Sequence, residues 1–72
     1  MDTRIFGRPT TARSTDGNHV EHFNAGERAK NIRRIGKRVM FEPASPYRLA
    51  GTYAMEWSEF ESCTISVREA QA

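Results

Sequence analysis

Asn24 to Arg38, N-A-G-E-R-A-K-N-I-R-R-I-G-K-R, is the stretch on which the fold turns, because its start, period and stop signals all spell a short basic helix. Asn24 is a favoured N-cap. Glu27 stands three residues later, where its carboxylate reaches back to the cap residue's amide in a capping-box pattern. Glu27 in the first turn and Arg33 and Arg34 in the last suit the helix dipole, and Gly36 sits where a left-handed residue ends a helix. At about 100° per residue, Ala25, Ala29, Ile32 and Ile35 fall within roughly 120°, the width of a core-facing stripe. Lys30, Arg33, Arg34 and Lys37 gather on the opposite side.

Past Lys37 the period changes to two. Val39 and Phe41 share one face of a strand that Pro43 and Pro46 then break. A second strand runs from about Tyr47 to Trp57, with Tyr53, Met55 and Trp57 on one side and Gly51 marking a bulge or bend. A third, Cys63 to Arg68, turns Cys63, Ile65 and Val67 inward. Upstream, Val20 and Phe23 staple the helix start to the core. Residues 1–18 have loop composition, and their Thr3 to Arg8 segment reads either as part of a flexible basic arm or as a fourth, edge strand ended by Pro9. The expected fold is therefore α+β: one short basic amphipathic helix on a three-stranded antiparallel sheet. The single small domain occupies residues 19–72 behind the arm.

The chain has 72 residues, 38% of them apolar, and a domain this small buries only about 60% of the surface its unfolded chain exposes. Assembly of like chains would compensate for the thin core. The single cysteine, Cys63, excludes an internal disulfide. No apolar leader follows Met1, and no apolar run approaches membrane-spanning length, so a soluble, cytoplasmic protein is expected. The net charge of +2 hides an asymmetry: residues 1–40 carry nine Lys and Arg against four Asp and Glu, whereas residues 41–72 carry two against five. Such a gradient orients a molecule on an anionic partner.

Arg28, Lys30, Arg33, Arg34, Lys37 and Arg38 place six cations in eleven residues with no acid among them. Lys and Arg on a helix face are commonly nothing more than a solvated surface, but this density repels itself unless an anion neutralises it, most simply a phosphate backbone. Those six residues are the candidate nucleic-acid contacts, for DNA or RNA alike. The second candidate surface is the acidic, aromatic segment Trp57, Glu59, Phe60 and Glu61, whose composition resembles a protein-binding epitope if Phe60 is exposed. His19 and His22 have a spacing that a metal site can use with Glu21 or Cys63. No second ligand pair accompanies them, and the sequence argues for surface polar residues and no bound metal.

Enzyme chemistry has no motif support. Five glycines are scattered singly rather than forming a phosphate loop, and no Ser, His and acid fall in a recognisable pattern. Cys63 in an alternating strand reads as a buried, unreactive thiol. No cofactor is expected. Two functions stand: a small non-enzymatic nucleic-acid-binding accessory or regulatory protein, and an adaptor or inhibitor that grips another protein through the acidic loop or the basic helix.

Overall fold

The computed structural model describes residues 3–67. It overturns the expected α+β fold. Among the described residues, seven strands, β1 (Arg4–Phe6), β2 (Thr10–Ser14), β3 (Val20–Phe23), β4 (Arg28–Ile35), β5 (Arg38–Pro43), β6 (Tyr53–Glu56) and β7 (Thr64–Ser66), form one sheet, and a helix, α1 (Trp57–Cys63), has seven residues. The sheet order is β3-β2-β6-β5-β4-β1-β7, and every neighbouring pair is antiparallel.

The stretch expected to be helical is β4 with its flanking turns. Each helix signal has a β counterpart. Glu27 does accept the Asn24 amide, at 2.6 Å, and its own amide bonds the Asn24 carbonyl at 3.1 Å, but this closes the turn between β3 and β4, with Gly26 at φ 94°. Gly36, at φ 62°, is the first residue of a two-residue hairpin turn between the paired Ile35 and Arg38, the position where a II′ turn requires glycine. The helical spacing of Ala29 and Ile32 comes from a β-bulge. Lys30 pairs with Glu42 and Arg33 with Met40, so Asn31 and Ile32 together oppose Phe41. Asn31 takes φ 51°, the left-handed region that Asn tolerates better than most residues. The extra residue puts Ala29 and Ile32, three apart, on the same face, where both are buried. Ala25 and Ile35, the ends of the expected stripe, are exposed.

Residues 3–18, expected as an arm or one edge strand, contribute two strands to this sheet. β1 sits between β4 and β7, an interior place rather than an edge, and β2 between β3 and β6. Phe6 lies in β1 and Phe23 in β3, five positions apart in the sheet, about 24 Å at ordinary strand spacing were it flat. Their rings nevertheless stack at 5.0 Å. The sheet therefore curls into a half-barrel around an aromatic nucleus of Phe6, Phe23, Phe41, Tyr53 and Phe60, lined by Ala29, Ile32, Val39 and Met55. The Phe6 amide and carbonyl bond Glu27 and Gly26, tying β1 to the β3–β4 turn.

The segment expected to be an exposed hairpin loop is α1, which packs beside β5, β6 and β7 and delivers Phe60 and Cys63 to the core. β6 and β7 do not pair with each other: β7 returns to β1. The orientation of the third expected strand is also reversed. Thr64 is buried and Ile65 is exposed, while Arg68 lies outside the described residues.

Candidate functional site

Alternation divides the cations of the β4–β5 hairpin between the two faces of the sheet. Opposed residues on antiparallel strands project to one side. Arg33, Met40, Ala54 and Arg13 are opposed in turn across β4, β5, β6 and β2, and Val20 on β3 completes the row. The neighbouring row is buried Val39 and Met55 with Arg34, which marks the inner side, so the Arg33 row lies on the outer face. Ile35 and Arg38 lie opposite each other on that outer face, as do Lys30 and Glu42, and Arg28 opposes Ile5 there. The outer face thus gathers Arg13, Arg28, Lys30, Arg33 and Arg38 against the carboxylates of Glu42 and Glu56.

Between these cations is an apolar floor. Thr15, Ile35, Arg38, Met40 and Ala54 line a shallow depression of about 350 Å³, and Ile35 is 65% exposed. Among the described residues, the ion pairs within 4 Å are confined to His19–Glu21, Arg48–Glu21 and Arg48–Glu27, so none of the outer-face cations is neutralised by a close carboxylate. Arg13 donates to the Gly17 carbonyl at 3.2 Å, and Glu42 accepts from the Asn31 amide at 2.9 Å.

Two of the six sequence candidates lie elsewhere. Arg34 faces inward at the hairpin end, its guanidinium 4.6 Å from the Trp57 ring centroid and its Nε–H bonded to the Gly36 carbonyl. It cannot share a surface with Arg33. Lys37 sits in the hairpin turn, where its carbonyl accepts the Trp57 amide and fixes the start of α1. Arg28, Lys30, Arg33 and Arg38 do come together, joined by Arg13, which the sequence reading assigned to the basic arm and not to this surface. Its signal was there in T-T-A-R-S, where Ala12 and Arg13 must face opposite ways.

The acidic, aromatic segment is split by α1. Phe60 is completely buried among Phe6, Phe41 and Trp57, Trp57 is half-buried, and Glu59 and Glu61 are exposed. Phe60 is thus a core residue and offers no contact surface. His19 precedes β3 and His22 lies within it, and the two do not converge. The His19 ring meets Glu21 at 3.4 Å and His22 Nδ1 meets Thr11 at 2.9 Å, while Cys63 is buried. Ser14, Asp16 and His19 do meet at the β2–β3 turn, but Ser14 donates to Asp16 at 2.5 Å and the His19 ring is engaged by Glu21. The Ser14 bond and the Asn18 amide hold the Asp16 carboxyl below its usual range.

Arg48 ties the segment between β5 and β6 to β3 and the β3–β4 turn. Its guanidinium binds Glu27 through both carboxylate oxygens, reaches Glu21 at 3.3 Å and lies over the Phe23 ring. Arg48, with the Asn24 amide, lowers the Glu27 pKa. Burial pushes Glu21 upward, but its bonds to His19, to the His22 and Leu49 amides and to Arg48 outweigh that and leave it lowered. Arg48 is raised in turn, chiefly by its hydrogen bond to Glu27.

No protein-family model, characterised protein or solved structure matches this chain. No helix among the described residues is long and apolar enough to cross a membrane.

Proposed function

We propose that the protein is a non-enzymatic nucleic-acid-binding accessory protein that grips phosphates with the outer face of its sheet. The observation that carries this reading is the outer row itself: Arg13 and Arg33 flank Ala54 and Met40, with Arg28, Lys30 and Arg38 around them and, among the described residues, no carboxylate within 4 Å of any of the five. On β4, Arg28 and Lys30 are two residues apart, about 7 Å on an extended strand, so neighbouring cations can follow successive charges along one backbone. Charge density without base-edge donors arranged in a reading motif favours binding that depends little on sequence. A cytoplasmic setting goes with this function and with the free, buried Cys63.

The test is a titration against mixed-sequence DNA and RNA at several salt concentrations. Each phosphate contact adds about 0.7 (single strand) to 0.9 (duplex) to the slope of log K against log salt, so Arg33→Gln with Arg38→Gln should flatten it by roughly 1.4 to 1.8. Arg34→Gln, on the other face, should leave the slope unchanged. Binding that is insensitive to salt, or equally weakened by all three changes, refutes the assignment.

A further inference from the structure

Tyr47 is 95% exposed, and nothing in the fold uses its ring. The backbone that carries it is nevertheless pinned on both sides. The loop of residues 44–52 is anchored where it leaves β5 by the Ala44 amide on the Arg28 carbonyl, and before β6 by the Tyr53 hydroxyl on the Leu49 carbonyl. Between these, the Tyr47 amide bonds Ser45 Oγ at 3.2 Å, the Arg48 amide bonds the Ser45 carbonyl at 3.3 Å, and the Arg48 side chain is locked to Glu27 and Glu21. A pinned loop presents an aromatic ring without the entropy cost of ordering the loop backbone on binding.

The same loop walls a groove of about 270 Å³ whose lining includes Lys30, Glu42, Pro43, Pro46, Arg48 and Ala50. Lys30 belongs to the outer-face cations, and Pro46 and Arg48, the chain neighbours of Tyr47, line the same groove, so it leads from those cations to the loop that carries Tyr47. Trp57 offers no comparable platform, because Arg34 covers its ring and Phe60 packs beside it. A duplex keeps its bases stacked on one another and gives a lone exposed ring little to bind. A single strand offers an unstacked base next to each phosphate.

The geometry points to single-stranded nucleic acid as the ligand, with one base stacked on Tyr47 while Lys30 and the neighbouring arginines hold the phosphates beside it. This rests on the outer-face reading above and narrows it to one class of ligand. The experiment is fluorescence anisotropy with the full chain on labelled single-stranded DNA, single-stranded RNA and duplex DNA of equal length. Tyr47→Ala should weaken single-strand binding roughly five- to hundredfold, the range of a lost base–aromatic stack, while Tyr47→Phe retains it. The salt slope should stay as in the wild type, since a stack releases no counterion. Unequal losses on the DNA and RNA arms tell which sugar the site prefers. An unchanged single-strand affinity in Tyr47→Ala, with Arg33→Gln and Arg38→Gln still weakening it, overturns the stacking site and spares the surface. Absence of wild-type binding to all three ligands overturns both. A fold check is simple, because removing so exposed a ring leaves the melting temperature unchanged.

Discussion

Asn31 shows how one residue redirects a whole segment. Its left-handed backbone admits the extra residue of the bulge, and its side chain bonds Glu42 across the strand pair. Most L-residues resist this conformation by about 1–2 kcal/mol. Asn31→Ala should therefore lower stability by about 1 kcal/mol or slightly more, while Asn31→Gly, which fits the backbone and loses only the exposed hydrogen bond, should cost less, both read from urea midpoints. Equal losses would mean that the Glu42 bond, not the backbone, holds the bulge. The sequence signals around Asn31 are real bonds and real spacings with a second solution. Glu27 reaches back to the Asn24 amide as in a capping box, with its own amide on the Asn24 main-chain carbonyl in place of the side chain, Gly36 has the positive φ that a helix stop needs, and Ala29 and Ile32 are both buried. A turn, a hairpin and a bulge satisfy the same three patterns, and local chemistry does not separate them.

Single elements differ in how much they reveal. The alternation of Val39 with Phe41, and of Tyr53 with Met55, is legible because strands buried on one face repeat at two, and all four are buried. α1 is not legible. It has seven residues, its cap residue Glu56 makes no side-chain cap bond, and the first turn of W-S-E-F-E-S-C carries the only charge complementing the dipole. Packing holds it, through Phe60. Phe60→Ala should cost about 3–5 kcal/mol, against a total of about 4–11 kcal/mol for a domain of this length, whereas Glu59→Ala and Glu61→Ala should stay within about 0.5 kcal/mol. A Phe60→Ala protein with wild-type stability in denaturant would return that residue to the surface. The loop latch makes a pH prediction. Glu21 and Glu27 have lowered folded pKa values, so their contribution is complete above their usual value near 4.5 and is lost as pH falls through the folded values. Melting temperature should therefore drop on acidification from roughly pH 5 to pH 3, and more shallowly in Arg48→Met, which removes the fork that binds Glu27. Parallel pH profiles in the two proteins would detach the effect from the latch.

At the scale of the molecule, the order of strands was beyond local reading. β6 inserts between β2 and β5, and β7 returns to β1 some sixty residues earlier, a pairing of Arg4 with Ser66 that no neighbouring residues announce. The curl of the sheet then decides the chemistry of the surface. Cations crowded in the sequence are dealt out by alternation: Arg34 goes inside to Trp57, as Arg4 goes to Phe60 and Arg48 to Phe23, while Arg28, Lys30, Arg33 and Arg38 meet Arg13 outside. Charge density was visible in the chain, and its division between two faces was not. Nor was Tyr47, which in S-P-Y-R looked like the start of a strand. The most direct measurement of the central claim is the amide chemical-shift map of isotope-labelled protein titrated with a short single-stranded oligonucleotide. Shifts concentrated on Arg13, Arg28, Lys30, Arg33, Arg38, Ala54 and Tyr47 are expected, with α1 undisturbed. Shifts centred on Glu59 and Glu61, or none at any ligand concentration, would contradict that claim.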